Sequence, residues 1–442
     1  MLRTCSTLHK PPRAHGARSP AAHGPGGPEP GSAAPLGVPA APRRTVGNTP
    51  GQGADVPRKY DVVLFGATGF VGRLTAEYLA ENAPDKCRWA LAGRDTAKLT
   101  ALRAELAARF PELAELPLLR ADSGDPDSLR ELAGSTRVLA TTVGPYLQYG
   151  EPLVAACADA GTDYLDLTGE PQFVDTVYVN HHARARETGA RLVHACGFDS
   201  VPHDLGVLFT VLRMPQGVPL RVEGYVRAKA GMSGGTFASA LESFARWQTM
   251  ATTARARREI EPRPRDRRIS TPVGRIRRAK GMPAWAVPLP TIDPQIVGRS
   301  AAELERYGPD FEYRHAAAVR RLPVVAGGVL GVAGIALAAQ IPPARRKLGA
   351  KLAPGEGPSE SRRAKSWFSV RFTATGGGQT VRTEVSGGDP GYGETAKMLA
   401  ESALCLAFDE LPRTSGQVTT AVAMGEPLIE RLRAAGIVFR VA

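Results

Sequence analysis

Residues 60–74 read YDVVLFGATGFVGRL and decide the fold of the first half of the chain. The first six residues are mostly apolar and end at a glycine, as a buried strand does, and a helical period follows. Gly66 permits a tight turn, Gly69 lets a phosphate approach the backbone, and Gly72 allows close contact between helix and strand. Because a helix N-terminus offers amide donors to an anion, this strand, loop and helix predict a dinucleotide site. The residues predicted to contact the dinucleotide are Gly66, Thr68, Gly69, Phe70 and Gly72.

The segments around this unit alternate between apolar strands and helical periods. Helices are predicted at 70–83 and 96–110, the second with Asp95 as its N-cap. Further strands are predicted at 88–94, 116–122, 137–143, 163–167 and 191–198. Apolar strands that alternate with helices are typical of a parallel sheet covered on both faces. We therefore predict an α/β fold that begins with a doubly wound Rossmann domain at residues 58–203.

The ends of the later strands supply the other predicted cofactor contacts. Arg94, with Lys98 one helical turn beyond it, stands where an acidic residue would bind the ribose hydroxyls of NAD. A guanidinium there pairs with a ribose 2′-phosphate, which favours NADP(H); the alternative is an exposed loop arginine followed by Asp95. Asp122 is placed to approach the adenine. The residues placed beneath the nicotinamide ribose are Thr142, Val143, Gly144 and Pro145.

Beyond residue 203 the pattern changes to that of an α+β domain with an antiparallel sheet, predicted at 204–442. Residues 220–227 alternate between apolar and polar side chains, as a half-exposed strand does. Residues 367–375 and 380–386 do the same on either side of three glycines, which predicts a hairpin. This domain is expected to bind the substrate and to form any homodimer contact.

The same domain contains two predicted amphipathic helices, at 236–253 and 394–408. The second helix is a candidate to pack against the Rossmann domain. Irregular chain is expected at 255–315 and 342–365. Residues 1–57, rich in Pro, Gly, Ala and Arg, are predicted to be a disordered extension, which either a targeting peptide or an over-extended start codon explains.

The net charge of +13 comes from two segments of the chain. Residues 1–59 carry +6 and residues 255–280 carry +8, so the rest of the chain is close to neutral. A neutral body, with no aromatic residues interleaved in the basic run, argues against a nucleic-acid partner. The five cysteines form no CxxC pair and no cluster with histidine at zinc spacing. We therefore expect no disulfide framework and no metal, and a reducing, cytoplasmic location.

Residues 322–341, LPVVAGGVLGVAGIALAAQI, are twenty residues without a charge. A helix of this length spans about 30 Å, the hydrocarbon thickness of a bilayer. Three interpretations stay open: a spanning helix, a hydrophobic surface element, and a buried core or dimer helix. The basic run at 255–280 is either a solvated loop or a contact for anionic lipid or an acidic carrier protein. Together the two segments favour an acyl or lipid substrate and peripheral contact with a membrane.

Several stretches of the chain resemble one known family. They are VVLFGATGFVGRL, ALAGRD, TTVGPYLQYGEPLV, DYLDLTGE, HACGFDSVPHDLG, WFSVRFTATGGG and VSGGDPGYGETAKMLAESALCLA. Over about residues 60–442 the chain resembles the saccharopine dehydrogenase-like oxidoreductases, and among them the actinobacterial trans-acting enoyl reductases. This resemblance implies NADP-dependent reduction of a carbon–carbon double bond in a polyketide or lipid intermediate, as in glycolipid biosynthesis. The alternatives are an imine or carbonyl reductase of the saccharopine dehydrogenase type, and a non-catalytic, lipid-associated dinucleotide-binding protein.

Reduction of a double bond also needs a proton donor for the carbon that does not receive the hydride. Tyr146, just after the fourth strand, is one candidate. Asp199, Ser200 and His203 follow the sixth strand and are the others. For each of the four, a role in a turn or a structural hydrogen bond is the competing interpretation.

Overall fold

The computed structural model describes residues 58–229, 247–321 and 358–442. The predicted extension at 1–57 and the apolar segment at 322–341 lie outside these residues, as does the first part of the helix predicted at 236–253. The described residues form two β-sheets with helices around and between them.

The first sheet is parallel, as the run of apolar strands predicts. Its strands are β1 Tyr60–Phe65, β2 Trp89–Gly93, β3 Leu118–Arg120, β4 Thr136–Thr141, β5 Asp163–Leu165, β6 Arg191–Val193 and β14 Gly416–Val418. They lie in the order β14-β6-β5-β4-β1-β2-β3. Every residue of β1 and β2 is buried, because both faces of the sheet are covered. The Rossmann architecture is therefore confirmed, and β14 is an addition that the sequence pattern did not predict.

The helices associated with this sheet follow the strands in alternation. They are α1 Phe70–Asn82, α2 Thr96–Ala107, α3 Pro126–Ser135, α4 Tyr146–Tyr149, α5 Glu151–Ala160 and α6 Pro171–Thr188. The predicted cap of α2 is present, since the Asp95 side chain accepts from the Lys98 amide at 3.0 Å. The predicted strand at 191–198 ends at Val193, and the residues after it form a loop.

The second sheet is mixed and mostly antiparallel. Its strands are β7 Leu220–Lys229, β8 Arg268–Ser270, β9 Arg277–Arg278, β10 Trp285–Pro288, β11 Asp310–Val319, β12 Trp367–Gly376, β13 Gln379–Gly387 and β15 Val438–Val441. Seven of them follow the order β15-β13-β12-β7-β11-β10-β9, and β8 pairs with β11. The predicted hairpin is β12 and β13, joined through Gly377 and Gly378, both of which have positive φ. One difference from the prediction is that β11 runs parallel to β7 and β8.

The expectation of irregular chain at 255–315 is wrong. That range contains the end of a helix, three short strands, a second helix and the greater part of β11. In β11 the buried residues Phe311, Tyr313 and His315 alternate with partly exposed ones. Glu312 and Arg314 are two of the intervening residues, so this part of β11 has the alternation of a half-exposed strand, to which the buried His315 is the exception.

The remaining helices lie outside the strand-and-helix alternation of the first sheet. They are α7 Val201–Val211, α8 Trp247–Ile260, α9 Asp293–Glu303, α10 Glu360–Arg363, α11 Gly393–Phe408, α12 Thr420–Ala423 and α13 Gly425–Ala434. Every residue of α7 is buried, and α7 contacts β12 and β13 of the second sheet. Helix α11 packs against α1, β1 and β4 of the first sheet. None of the helices in the described residues is long and apolar enough to cross a membrane.

Candidate active site

The glycine loop connects β1 to α1 and contacts the end of β4. Gly66 has φ +86°, and a Cβ atom there would lie 2.7 Å from Cγ2 of Val143 and 2.8 Å from Oγ1 of Thr142. The Thr142 hydroxyl donates to the Gly66 carbonyl at 3.0 Å. The predicted contacts of the first and fourth strands therefore lie side by side at the carboxyl edge of the sheet, where such sheets bind dinucleotides.

Gly69 and Gly72, the other two glycines of the loop, differ in what a side chain there would contact. A Cβ atom on Gly72 would lie 2.2 Å from the carbonyl oxygen of Gly66, so packing of the helix against the loop requires glycine there. A Cβ atom on Gly69 would meet only that same oxygen, at an ordinary 3.4 Å. Because the protein itself does not require glycine at residue 69, the space at the helix N-terminus fits the approach of a pyrophosphate. The loop thus has the shape that a dinucleotide needs.

The groups predicted at the adenine end lie after β2 and β3. Arg94 is exposed, and no carboxylate in the described part of the chain pairs with it. Asp95, which could have bound a ribose hydroxyl, is instead engaged with Lys98, through the cap and a side-chain contact of 3.8 Å. Asp122 accepts from the Gly124 amide at 3.0 Å. A free guanidinium beside an occupied carboxylate fits a 2′-phosphate better than a bare ribose.

Residues from the last part of the chain reach the glycine loop. The ring of Tyr392 meets the ring of Phe70 edge to face, with centroids 4.9 Å apart. The guanidinium of Arg363 lies over the same Phe70 ring, 5.5 Å from its centroid. Thr395, in the first turn of α11, accepts at its hydroxyl from the Phe198 amide at 3.1 Å. Helix α11 therefore links the glycine loop with the loop that follows β6.

Tyr146 lies at the same edge of the sheet but has a structural environment. Its ring is 6% exposed, and its hydroxyl donates to the Thr141 carbonyl at 3.2 Å and accepts from the Leu167 amide at 3.1 Å. Burial and the charge of Asp166 raise the pKa of Tyr146 far above its ordinary value. The hydroxyl ties the end of β4 to the loop after β5, which favours the structural interpretation of this residue.

The loop between β6 and α7 places Asp199 and Ser200 next to each other in different environments. Asp199 is partly exposed, whereas Ser200 is 1% exposed and its hydroxyl has no hydrogen-bond partner within the described residues. Burial and the charge of Asp293 raise the pKa of Asp199 to about 7. A carboxyl group that titrates near neutral pH can hold and release a proton under cellular conditions.

His203 lies behind Asp199, in a buried cluster that the sequence did not reveal. Its Nδ1 lies 2.7 Å from Oδ1 of Asp293, and Nε2 of His315 lies 3.4 Å from Oδ2 of the same carboxylate. Nδ1 of His315 and the hydroxyl of Tyr313 are 2.9 Å apart. All four side chains are buried. Since His203 is in α7, Asp293 in α9 and His315 in β11, no local spacing could have shown that they meet.

This cluster offers nitrogen and oxygen atoms within 4.8 Å of one another, close enough in principle for a shared cation. Each imidazole, however, approaches a different oxygen of Asp293. Burial lowers the pKa of His315 to about 4. At Asp293, burial alone would raise the pKa of the carboxyl group. The charges of His203 and His315 outweigh burial there, so the pKa of Asp293 is lowered. The arrangement is a buried carboxylate between two imidazoles, one of which, His315, is hydrogen-bonded to Tyr313.

Three comparisons with known proteins agree with this geometry. Residues 62–193 match the family model described as the saccharopine dehydrogenase NADP binding domain. A trans-acting enoyl reductase of Mycobacterium tuberculosis is 36% identical over 416 residues, which are 86% of this chain and 97% of the relative. A second protein of that organism, named provisionally in the same way, is 41% identical over 420 residues with the same coverage.

Among solved structures, the saccharopine dehydrogenase (L-Glu forming) of Saccharomyces cerevisiae aligns with a TM-score of 0.50. The alignment covers 87% of this chain and 100% of that one, at 12% identity, which supports the fold alone. The cofactor is NADP(H), and the chain is an NADP-dependent oxidoreductase. The chain belongs to the family of the trans-acting enoyl reductases and carries the NADP-binding domain of saccharopine dehydrogenases.

Proposed function

We propose that this protein reduces the carbon–carbon double bond of an enoyl substrate, in which the alkene is conjugated with an acyl carbonyl. The observation that carries the proposal is the identity of 36% to 41% along 97% of relatives that are named for this reaction. These alignments cover 86% of this chain and therefore extend well beyond the cofactor domain match at 62–193.

In this proposal the glycine loop and the ends of β2 to β4 hold the cofactor, which supplies a hydride when bound. The backbone from Gly66 to Phe70 binds the pyrophosphate, and Arg94 and Lys98 bind the 2′-phosphate. Asp122 borders the adenine. The residues beneath the nicotinamide ribose are Thr142, Val143, Gly144 and Pro145. Each of these assignments is supported by the position of the residue, which follows a strand of the parallel sheet at its carboxyl edge.

The substrate is proposed to be a lipid or polyketide acyl chain, delivered on a carrier protein. The groups whose charges act on Asp199 are Asp293, His203 and Asp166. Two carboxylates at this place disfavour an amino-dicarboxylate substrate of the saccharopine type, because like charges repel. A neutral thioester has no such penalty.

Docking of an acidic carrier protein, or of a membrane surface, is proposed at the basic run 255–280. Part of this run is neutralised within the fold, since Arg257, Arg268 and Arg277 pair with carboxylates. Arg258, Arg263, Arg265 and Arg275 are exposed and have no carboxylate partner in the described residues, so they remain available to an acidic partner. A homodimer and a cytoplasmic, membrane-associated location belong to the same proposal.

The test is a cofactor oxidation assay with the full-length protein. Substrates are a carrier-bound enoyl thioester, the same acyl chain on a small thiol, and an iminium adduct of an amino acid. We expect NADPH to be consumed with the enoyl thioesters, more slowly with NADH, and the product to gain two hydrogens by mass spectrometry. Turnover of the iminium adduct without turnover of either thioester would contradict the proposal. In a deletion strain, one class of lipid should retain the double bond. Its mass should be lower by two hydrogens for each double bond that is not reduced.

A further inference from the structure

We propose that Asp199 is the acid that protonates the substrate carbon that does not receive hydride, and that His203, Asp293 and His315 are positioning residues behind it. This inference rests on the proposed function, because it names a residue for that reaction. It adds two residues, Asp293 and His315, that the sequence pattern did not indicate.

The first argument is position. Asp199 follows β6, which pairs with β5, and β5 pairs with β4; all three strands lie on the side of β1 opposite to β2 and β3. Gly169, in the loop after β5, is close enough that a Cβ atom there would lie 3.6 Å from the Asp199 carboxyl carbon. Arg94 and Asp122, the groups for the adenine end, lie on the β2 and β3 side. A dinucleotide bound with its adenine on that side would have its nicotinamide toward β4, β5 and the Asp199 loop.

The second argument is access. Asp199 is partly exposed, whereas Ser200, His203 and Asp293 are at most 3% exposed. Within the described residues no hydrogen bond holds the Asp199 carboxyl, which leaves its oxygen atoms available to a substrate. Tyr146, another candidate, uses its hydroxyl proton on the Thr141 carbonyl, and the hydroxyl of Ser200 is buried.

The third argument is electrostatic. The titratable groups that face Asp199 are Asp166 after β5, His203 in α7, Asp293 in α9 and Tyr146 in α4. Burial, Asp293 and Asp166 raise the pKa of Asp199, and His203 lowers it. A raised pKa is what an acid catalyst at neutral pH needs, because its protonated form must be available to the substrate. Asp293 lies between the imidazoles of His203 and His315, at distances of 2.7 and 3.4 Å.

The proton balance of the step is simple. The hydride forms a C–H bond at one alkene carbon, and the alkene electron pair moves to the other carbon and its conjugated carbonyl. The O–H bond of Asp199 breaks, and its proton forms the second C–H bond. The substrate is reduced, NADPH is oxidised, and the Asp199 carboxylate takes a new proton from water at the exposed side of the loop.

The experiment compares Asp199→Asn and Asp293→Asn with Asp127→Asn, an exposed carboxylate of α3, as the matched control. Asp199→Asn should lower kcat by about 100- to 10,000-fold. It should leave the NADPH dissociation constant, measured by fluorescence, within about twofold of the wild-type value. Asp199→Glu, which keeps a carboxyl group, should restore part of the rate. The control should match the wild type in both measurements.

Asp293→Asn should act through Asp199. Removing the negative charge lowers the pKa of Asp199, so the alkaline limb of the pH–rate profile should move to lower pH and activity should recover on acidification. A structural role alone would lower the rate at every pH without moving the limb. Carbon-13 NMR of aspartate carboxyl groups measures the pKa of Asp199 directly, without turnover. One carboxyl should titrate near pH 7, disappear in Asp199→Asn, and shift to lower pH in Asp293→Asn.

Two results would overturn the inference while leaving the proposed function intact. One is an Asp199→Asn enzyme that reduces the enoyl substrate at the wild-type rate. The other is a stoichiometric transition metal in the active protein, bound through His203 and His315. If instead the NMR titration is as expected but no enoyl substrate is reduced by the wild type, the proposed function fails and the assignment of Asp199 as a neutral acid stands.

Discussion

The hydroxyl of Tyr78, in the helix that starts at the cofactor loop, donates to Oε1 of Glu401 at 2.6 Å, across 323 positions of sequence. Glu401 belongs to α11, and its other oxygen pairs with Arg431 at 3.2 Å. Burial and this hydrogen bond raise the pKa of Tyr78 well above its ordinary value. The contact fixes α11 against α1, and α11 in turn carries Tyr392 and Thr395 toward the site.

Tyr78→Phe should lower the free energy of unfolding by about 1.5 kcal/mol. This is the low end for a hydrogen bond to a charged group, because Arg431 continues to pair with Glu401. Urea unfolding monitored by tryptophan fluorescence measures the change. Tyr149→Phe, at a residue that is 41% exposed, is the matched control and should change stability by less than about 0.5 kcal/mol. Equal effects of the two variants would show that the Tyr78 contact does not stabilise the fold.

Gly69→Ala and Gly72→Ala should separate cofactor binding from packing. Gly72→Ala forces a methyl group to within 2.2 Å of the Gly66 carbonyl oxygen and should destabilise the protein by about 1–3 kcal/mol. The methyl group of Gly69→Ala would make no such close contact, so this variant should fold normally. That methyl group would, however, occupy the place proposed for the pyrophosphate. We expect its NADPH affinity to fall tenfold or more by fluorescence titration. The prediction fails if Gly69→Ala binds NADPH like the wild type.

Arg94→Ala should reduce the preference for NADPH over NADH by about 1.5–3 kcal/mol, or roughly ten- to a hundredfold in affinity. The reason is the loss of a charge-assisted contact with the 2′-phosphate, which NADH lacks. Dissociation constants for both cofactors, at one salt concentration, give the ratio. Arg109→Ala is the control, because it removes a cation that follows the C-terminal end of α2, whereas Arg94 precedes that helix. An unchanged ratio would assign the 2′-phosphate to another residue.

Arg257→Ala should be among the most destabilising single changes in the basic run. Arg257 is 3% exposed, lies 3.1 Å from Asp175 and 2.5 Å from Glu261, and stacks on Tyr178. Its removal leaves the buried Asp175 without its cation, at a cost of about 3–5 kcal/mol. The neighbouring Arg258 is exposed, and Arg258→Ala should change stability by less than about 0.5 kcal/mol. Thermal or urea unfolding of the two variants makes the comparison.

The basic run at 255–280 also shows what a count of charged residues can and cannot predict. The sequence located +8 in residues 255–280 and left open a solvated loop or a docking surface. The structure assigns several of these cations to Asp175, Glu223 and Asp310, which come from distant elements. Composition counts charges, but only the fold decides which carboxylates lie beside them.

Local sequence patterns predicted the apolar strands of the parallel sheet, the glycine loop, the cap of α2 and the hairpin of β12 and β13. Each of these depends on residues within a few positions of one another, so apolar period and turn chemistry predict them. Two features are visible only in the folded chain: β14 joins the first sheet, and His203, Asp293 and His315 meet behind Asp199. These contacts join elements far apart in the chain, and their position follows from strand order and helix packing, which local patterns do not encode.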